Sequence, residues 1–357
     1  MKSGLEDVVA AETVLSDVDG ANGRLIVRGV SLDDLVATSG FEDVAALLFE
    51  GFLPDVAYMR AALGAARVEV FKLLDSNLAA LPPVEGLRAL LARLEDGDDL
   101  GTALRLAAAP AVFNAGLLRL RAGEEPIAPD PTLSQAADAL RMLHGTAPSP
   151  AQEAALNRYL VTVADHGLNA STFAARVVAS TQAGLTSSVL AALSALKGPL
   201  HGGAPGPVLD MLDAVGTPEN AADSIGNALD RGERLMGFGH RVYRTRDPRA
   251  DALKTAVRNL TLAGAIDPAR LALAEAIETA ALAELRRLKP DRVLDTNVEF
   301  YTALLLESLG FPREAFTCVF AMGRVTGWIA HAREQALTGR LIRPMSTYVG
   351  PLPKVAA

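Results

Sequence analysis

The stretch DPARLALAEAIETAALAELRRLKP, residues 267–290, decides the fold class that this sequence predicts. Asp267 and Pro268 place a capping side chain directly before a proline, which is the usual sequence signal for the first turn of a helix. The residues that follow are mostly alanine, leucine and glutamate, and the dipeptide Lys289-Pro290 ends the run. The sequence therefore predicts a long helix that begins at Pro268 and ends before Pro290.

The same helical signals recur along the 357-residue chain. Residues 39–42, Ser-Gly-Phe-Glu, have the spacing of a capping box, and apolar residues on one helix face follow them up to Gly51. Thr217 and Pro218 repeat the arrangement of a capping residue before proline. Because alanine and leucine at helical spacing dominate and alternating β-branched runs are rare, the sequence predicts an all-α protein.

Only residues 11–30 have an extended character. Two turn signals, Asp19-Gly20 and Asn22-Gly23, come directly before the short run of residues 24–28, Arg-Leu-Ile-Val-Arg. This pattern predicts at most one small β-hairpin near the N-terminus.

Composition argues against membrane and secreted proteins. The richest apolar run, residues 106–118, contains Pro110 and Asn114, and no stretch of about 18 uncharged apolar residues occurs, so we expect no membrane span. The first residues lack the apolar segment of a secretory signal. We therefore expect a cytoplasmic protein.

Charge and cysteine content argue against further kinds of site and partner. The single cysteine, Cys318, cannot form an internal disulfide, and no pair of histidines or cysteines has metal-ligand spacing, so we expect no metal site. The formal net charge of -8 argues against a broad nucleic-acid surface, although local arginine clusters could bind small anions. Half of the residues are hydrophobic, and this surplus predicts a large oligomer interface.

Three of the five histidines lie in polar, glycine-rich settings, namely His166 in Asp-His-Gly, His201 in Leu-His-Gly-Gly and His240 in Gly-His-Arg. Apolar helix faces do not have this composition. His201 is predicted to lie in a turn just before a helix, whose N-terminus would disfavour a positive imidazole. A neutral histidine there could donate a hydrogen bond to a carbonyl that becomes an enolate. The alternative is a turn histidine that only caps backbone groups.

Residues 237–249, GFGHRVYRTRDPR, combine a flexible loop, one titratable ring and four arginines. Guanidinium groups make bidentate contacts with carboxylates and phosphates, so this composition is typical of an anion site. The Gly-x-Gly lacks a preceding strand and the rest of a nucleotide fingerprint, which excludes a Rossmann interpretation. A solvated basic turn remains the alternative for Arg244 and Arg246.

Glu299 stands between apolar neighbours at the start of a helical pattern. Desolvation would raise the pKa of this carboxylate and make it a better base. Its neighbours alone favour the simpler alternative, an ordinary first-turn glutamate stabilised by the helix dipole. Elsewhere we expect Trp328 in the core, His331 as a packed or surface helix residue and His144 in a loop, the two histidines without a functional role.

Together these segments resemble the citrate synthase family over nearly the whole chain. The resemblance is carried by the opening GLEDVVAAET (4–13) and by four ordered motifs, DHGLNASTF (165–173), KGPLHGGA (197–204), GFGHRVY (237–243) and DPR (247–249). It implies an almost entirely helical homodimer of the citrate synthase-like two-domain fold with a small N-terminal β-hairpin. The large domain would comprise residues 1–203 and 317–357, the small domain residues 204–316, and a cleft between them would close over substrate.

The resemblance also implies a Claisen-type condensation of acetyl-CoA with oxaloacetate, followed by thioester hydrolysis to citrate and CoA. Acyl-CoA would be a cosubstrate, with no permanently bound cofactor. His201 would hydrogen-bond the thioester oxygen, Glu299 would remove the α-proton and His240 would polarise the keto group of oxaloacetate. The residues that would hold the oxaloacetate carboxylates are His166, Arg249, Arg324 and, from the other subunit, Arg343. The CoA adenine would contact the backbone of Leu235, Met236, Gly237, Phe238 and Gly239.

Three positions depart from the family pattern. The usual base is an aspartate, and Glu299 is one methylene longer; Pro205 replaces the usual asparagine, and Met345 stands where a basic residue is common. These departures leave two alternatives open. One is a 2-methylcitrate synthase that uses propionyl-CoA, and the other is a weakly active or non-catalytic paralogue that binds CoA or a dicarboxylate.

Overall fold

A computed structural model of the chain describes residues 4–5, 8–52, 56–201, 205–240 and 242–351. Gly202, Gly203 and Ala204 of the His201 motif, and Arg241 of the His240 motif, lie outside the described residues.

Within these ranges the chain forms fifteen α-helices and three short β-strands, which confirms the predicted all-α class. The strands are β1 (Ser16–Asp19), β2 (Arg24–Val27) and β3 (Val30–Ser31). The helices are α1 (Leu32–Thr38), α2 (Phe41–Leu48), α3 (Val56–Phe71), α4 (Pro83–Leu91), α5 (Leu100–Arg121), α6 (Gln135–His144), α7 (Pro150–Val163), α8 (Ala170–Ala179), α9 (Leu185–Leu196), α10 (Pro205–Val215), α11 (Ala221–Asp230), α12 (Pro248–Leu262), α13 (Pro268–Leu288), α14 (Val298–Ser308) and α15 (Phe316–Thr338).

The predicted hairpin near the N-terminus is confirmed, and a two-residue third strand extends it. Strands β1 and β2 pair antiparallel from Ser16 opposite Val27, and β2 then pairs with β3. The chain reverses between β2 and β3 through Arg28 and Gly29, which both have positive φ. Arginine is an unusual residue in that conformation, so the sequence carried only a weak signal for this second turn.

Helix α13 has the predicted ends. The Asp267 carboxylate accepts a hydrogen bond from the Ala269 N–H at 2.9 Å, and the helix ends at Leu288. A capping side chain and a proline act on the adjacent turn, so a local signal was sufficient here.

The capping box predicted at Ser39 is wrong by one residue. Helix α2 has Gly40 at its N-cap, and the Asp43 carboxylate accepts the Gly40 N–H at 2.6 Å. Glu42 instead accepts the Gln135 N–H at 2.7 Å, because α6 packs close enough to supply this buried donor.

Two further local predictions are corrected by the structure. His144 is the last residue of α6 rather than a loop residue, and its Nε2 lies 2.8 Å from the Leu309 carbonyl oxygen. Thr217 and Pro218 begin a short 3-10 turn, Pro218–Asn220, instead of an α-helix.

Helix α5 runs without interruption through Pro110, which lies inside the apolar run of residues 106–118. The helix packs against α3, α4, α6, α9 and α15, so tertiary burial offsets the hydrogen bond that proline removes. Among the described residues, α5 is the helix long and apolar enough to cross a membrane, and 83% of its most apolar window is buried inside the protein.

The site region is built where helices begin. Helix α15 packs against α5, α7, α8 and α9, while α12 packs against α7 and α14. Asn169, Asp247 and Asn297 cap α8, α12 and α14, respectively, with their own side chains. Helix N-termini present unpaired N–H groups and partial positive charge, so these ends suit anionic ligands.

A buried ion pair provides a test of the core. Arg67 Nε donates to Asp138 Oδ2 at 2.8 Å, both side chains are fully buried, and a second N–H reaches the Leu133 carbonyl at 2.7 Å. Removing Arg67 would leave the buried Asp138 carboxylate with Arg141, which is partly exposed, as its remaining cationic partner and would leave the Leu133 carbonyl without this donor, so Arg67→Ala should lose about 3–5 kcal/mol in urea unfolding. Arg93→Ala, which breaks an exposed pair, should change unfolding far less. Equal losses in the two variants would contradict this assignment.

Candidate active site

Three residues from one predicted motif and one distant histidine form a compact cluster. The ring centroids of His166 and His240 lie 5.6 Å apart, and His166 Nε2 is 3.2 Å from the Tyr243 hydroxyl. His240 Nε2 is 3.1 Å from Arg249 Nη2. The cluster therefore joins the loop before α8 to the start of α12.

The protonation state of His240 follows from its contacts. Its Nδ1 accepts the N–H groups of Val242 and Tyr243 at 3.0 and 3.1 Å, so a neutral ring carries its proton on Nε2. Burial, followed by the charge of Arg249, lowers the pKa of His240 to about 4. The Nε2–H and the Arg249 Nη2 are both donors, so together they are suited to a single acceptor oxygen placed between them.

Arg249 is held in place by Asp247, a buried residue to which the sequence analysis gave no role. Asp247 Oδ1 accepts the Arg249 backbone N–H and Nε–H, each at 3.0 Å, and Oδ2 accepts Nη2–H at 2.9 Å. Oδ2 also accepts the Val298 N–H at 3.1 Å. One carboxylate thus links the start of α12 to the start of α14.

Glu299 is the second residue of α14, and its N–H donates to the Asn297 side chain at 3.0 Å. Burial raises the pKa of Glu299 from 4.5 to about 7; Asp247 adds to this shift, while the charges of Arg249 and Arg324 oppose it. An ordinary first-turn glutamate would not be shifted in this direction by the helix dipole. A carboxyl group with a pKa in this range could act as a base near neutral pH.

The loop of residues 235–239 is paired with the segment that leads into α14. Phe238 and Thr296 form an antiparallel bridge, the Gly239 N–H donates to the Asp295 carbonyl at 2.7 Å, and the Asn297 N–H donates to the Gly237 carbonyl at 2.9 Å. Gly237 has φ of 86°, and a Cβ there would lie 2.9 Å from the Phe300 side chain. Only glycine permits this close approach.

His201 contacts the N-terminus of a different helix from the one expected. The Ser171 N–H, in the first turn of α8, lies 3.3 Å from His201 Nε2, whereas the sequence analysis assigned this effect to the following helix, α10. A backbone N–H can only donate, so Nε2 is an acceptor and a neutral ring carries its proton on Nδ1. Ser171 Oγ lies 2.8 Å from the same Nε2 and accepts the Trp328 Nε1–H at 3.1 Å.

Arg324 lies in the same electrostatic environment as His166 and Glu299. Burial lowers the pKa of His166 well below its ordinary value, and the charges of Arg249 and Arg324 reinforce this effect. Arg324 Nε donates to the Val163 carbonyl at 2.5 Å, while its Nη2 is buried and has no hydrogen-bond partner among the described residues. A buried guanidinium nitrogen in this state is a candidate ligand for an anion.

Comparison with known proteins identifies the family. The family described as citrate synthase, C-terminal domain, matches residues 4–345. The chain belongs to the citrate synthase family.

The similarity of this citrate synthase family member to known proteins extends over its whole length. Citrate synthase 2 of Bacillus subtilis is 37% identical over 368 residues, covering 98% of this chain and 95% of the relative. The 2-methylcitrate synthase of Mycobacterium tuberculosis is 38% identical over 367 residues, covering 98% and 91%. Citrate synthase from Thermoplasma acidophilum, solved as a ternary complex with carboxymethyl coenzyme A and oxaloacetate, matches with a TM-score of 0.86 and 28% identity over 99% of this chain and 97% of that one.

The predicted enzyme class and fold are confirmed by these findings. The chain is an acyltransferase of the citrate synthase type, with the helical fold of that family. The roles of individual residues in this family member stay predictions.

Arg343 is the predicted site residue that the structure does not bring to the cluster. It is exposed on the segment after α15, where the Ile342 N–H donates to Ser180 Oγ at 3.0 Å at the far end of α8. A ten-residue helix is about 15 Å long, so this segment lies at the opposite end of α8 from Ser171. Its own subunit therefore places Arg343 away from His201.

Three further residues contact the candidate site although no sequence pattern pointed to them: Tyr243, Ser171 and Trp328. The first two lie within the motifs quoted above. Tyr243 is buried, and its ring lies 4.8 Å from that of His240 and 5.6 Å from the Arg249 guanidinium. Trp328 is a core residue as predicted, but its indole N–H also fixes Ser171. The contact of Trp328 joins residues more than 150 positions apart, and the spacing within a motif gives no information on such a contact.

The raised pKa of Glu299 gives a prediction for stability against pH. The unfolded chain ionises this glutamate near pH 4.5, whereas the folded chain keeps it protonated up to about pH 7, so ionisation progressively destabilises the folded state between these values. Glu299→Gln removes this effect, and its stability relative to the parent should rise by about 3 kcal/mol between pH 4.5 and pH 8. Urea unfolding at several pH values measures the difference, with Glu69→Gln as an exposed control. A constant difference across this range would contradict a partly buried carboxyl group that titrates there.

Proposed function

We propose that the chain condenses acetyl-CoA with oxaloacetate and hydrolyses the product thioester to citrate and CoA. The observation that carries this proposal is the convergence of two aimed donors, His240 Nε2–H and Arg249 Nη2–H, close to a carboxyl group with a pKa near 7. A condensation needs both an electrophile activated by donors and a base matched to neutral pH.

Oxaloacetate suits the cationic side of this site because it is a dicarboxylate with a keto group. Arg249 and Arg324 would each hold a carboxylate, and the buried Nη2 of Arg324 provides a donor for this purpose. His166 would act as a neutral hydrogen-bonding partner, since its pKa is held well below its ordinary value. The keto oxygen would then lie between His240 Nε2 and Arg249 Nη2.

The condensation follows from these placements. Glu299 would take a proton from the α-carbon of the thioester, and the electron pair left by the C–H bond would form an enolate whose oxygen accepts a hydrogen bond from neutral His201. The enolate carbon would attack the keto carbon, and the alkoxide formed from the keto oxygen would accept hydrogen bonds from Nε2–H of neutral His240 and Nη2–H of Arg249 until it takes up the proton that Glu299 removed. Proton transfer and stabilisation of the developing oxyanion are each typically worth about 10²-fold or more in rate.

The proposed two-domain arrangement places the site between two groups of helices. Helices α10 to α14 lie within residues 204–316 and pack among themselves, and this part of the chain supplies His240, Arg249 and Glu299. The remaining parts, residues 1–203 and 317–357, supply His166, His201 and Arg324. Closure of a cleft between these domains would exclude water until the carbon bond has formed.

We propose that CoA binds at the loop of Leu235, Met236, Gly237, Phe238 and Gly239. The pairing with the segment before α14 already uses the Gly237 carbonyl and both backbone groups of Gly239. Contacts with the adenine would therefore involve the Leu235, Met236 and Phe238 backbone. Since the same pairing leads into Glu299, the loop fixes the CoA nucleotide relative to the base.

The decisive measurement is oxaloacetate-dependent release of CoA thiol without added metal, comparing acetyl-CoA with propionyl-CoA. We expect release with a higher kcat/KM for acetyl-CoA, and His240→Ala should lower kcat by about 10²- to 10⁴-fold because the developing oxyanion loses a hydrogen-bond donor. His144→Ala, outside the cluster, should keep parental activity. A higher kcat/KM for propionyl-CoA would instead identify a 2-methylcitrate synthase, and no release with either would favour a binding paralogue.

We propose a homodimer in which Arg343 completes the site of the other subunit. Support comes from the ends of the chain, where several apolar side chains are more than half exposed: Val8, Val9, Val14, Leu341, Met345, Tyr348 and Val349. A groove of about 500 Å³ lies between these ends and includes Arg343. Exposed apolar patches of this kind mark surfaces that associate with another protein.

Mixing of inactive variants tests the shared site. In a hybrid dimer of Arg343→Ala and Arg249→Ala protomers, one of the two sites would contain both arginines, so random exchange should restore about one quarter of the parental activity. Each variant alone should stay inactive. Proven subunit exchange without recovery of activity would show that Arg343 acts within its own subunit or not at all.

A further inference from the structure

The polar residues on one face of α15 beyond Arg324 have no role in the proposed reaction. We propose that His331 is a positioning residue that holds the Asp165 carboxylate away from Arg324 and so keeps the Arg324 guanidinium available for a carboxylate of the substrate. This inference rests on the proposed function, because the substrate in question is the dicarboxylate bound at that site.

The orientation of His331 is fixed by two buried contacts. Its Nδ1 accepts Nε–H of Arg176 at 3.1 Å, and arginine N–H groups can only donate. A neutral His331 ring therefore carries its proton on Nε2, which lies 3.2 Å from Asp165 Oδ2. The side chains of His331 and Asp165 are both fully buried, so this donor has no competing water contact on the surface.

The side chain of Arg176 is itself anchored along α15. Its Nη1 donates to Gln335 at 2.9 Å, and its Nη2 contacts the Glu334 carboxylate. The N–H of Val14 donates to the same glutamate at 3.0 Å. These contacts leave Nε of Arg176 directed at His331, so the tautomer of His331 does not depend on solvent.

Asp165 directly precedes His166, and its position sets the backbone there. Oδ2 also accepts the hydroxyl of Ser16, whose oxygen accepts the Gly167 N–H at 3.0 Å. A Cβ at position 327 would lie 2.8 Å from Asp165 Oδ1, so glycine at that point of α15 makes room for the carboxylate. The hydrogen bonds of Asp165 Oδ2 therefore restrain the residues on both sides of His166.

The other oxygen of Asp165 and one nitrogen of Arg324 are oppositely charged groups that do not pair with each other. Asp165 Oδ1 and Arg324 Nη2 are both buried without a hydrogen-bond partner in the part of the chain that the structure describes. Burial opposes ionisation of Asp165, but His331 and then Arg324 outweigh it and hold the pKa of this carboxyl below its ordinary value. An ionised acceptor and a cationic donor in the same region would normally pair. The bonds from His331 and Ser16 to Oδ2 hold the carboxylate in a position where they do not.

The consequence for binding is specific. If Asp165 lost the His331 donor, its carboxylate could turn towards Arg324 and compete with the substrate carboxylate for the same nitrogen. Oxaloacetate binding would weaken, while proton abstraction by Glu299 and binding of acyl-CoA would be affected less. A residue that only filled space in the core would not produce this selective effect.

A matched pair of variants separates the two contacts of His331. The amide nitrogen of His331→Gln can reach the position of Nε2 and donate to Asp165, whereas His331→Asn can replace only the contact near Nδ1. We expect His331→Asn to raise the KM for oxaloacetate about tenfold or more, with a smaller change in kcat and an unchanged KM for acetyl-CoA. His331→Gln should stay within about threefold of the parent, and His144→Asn serves as a control for loss of a helix histidine.

Ser16→Ala provides an independent variant outside α15, because it removes the second tie to the same oxygen and should also raise the KM for oxaloacetate. This variant decides the matter if His331→Asn does not fold, as judged by circular dichroism. Equal effects in His331→Asn and His331→Gln, a loss confined to kcat, or an unchanged KM in Ser16→Ala would each overturn the inference.

Direct calorimetric titration of the parent with oxaloacetate separates this inference from the proposed function. If the parent neither turns over nor binds oxaloacetate, the proposed function fails. If the parent binds oxaloacetate and His331→Asn binds it equally well, only the positioning role of His331 fails.

Discussion

The carboxylate of Asp247 is the group on which the geometry of the site depends. It accepts three N–H groups of Arg249 and one from Val298, so it fixes a cationic side chain and the first turn of a second helix at the same time. The same negative charge adds to the burial that raises the pKa of Glu299. Arg249 is thereby neutralised on its far side and keeps a free edge towards His240. The site can hold a high density of arginines because buried carboxylates balance them from behind.

Fold prediction succeeded where a signal and its effect lie within one turn of the chain. The Asp267 cap and the proline after it act on adjacent backbone groups, so the start of α13 was predictable. The prediction at Glu42 failed for the opposite reason, and a similar effect explains why α5 tolerates Pro110 in its interior. Glu42 turns away from its own helix to a donor on α6, and Pro110 is accommodated by a helix buried on all sides. In both cases contacts with distant segments outweighed local preference.

Prediction of the site residues likewise succeeded for local features and failed for contacts with distant segments. Glycine-rich surroundings singled out His166 and His240, since such settings are unusual for packed helices, and the structure brings these two rings together. The prediction that α10 contacts His201 was wrong, because the residue that provides the N–H lies thirty positions earlier, in α8. Burial of Glu299, which decides whether it is a base or a surface residue, depends on helices that its neighbours in sequence do not reveal. The role of Asp247 required knowledge that α12 and α14 begin side by side.

The short ladder between residues 237–239 and 295–297 ties the loop proposed to hold the nucleotide directly to the segment that leads into the helix of Glu299. The adenine and the thioester lie at opposite ends of an acyl-CoA, and both would contact this connected part of the chain. Binding of the adenine would therefore fix the position of the thioester relative to the Glu299 carboxylate. An acyl group carried on a shorter, adenine-free thiol would meet the same base without that alignment, so the nucleotide acts on the rate as well as on affinity.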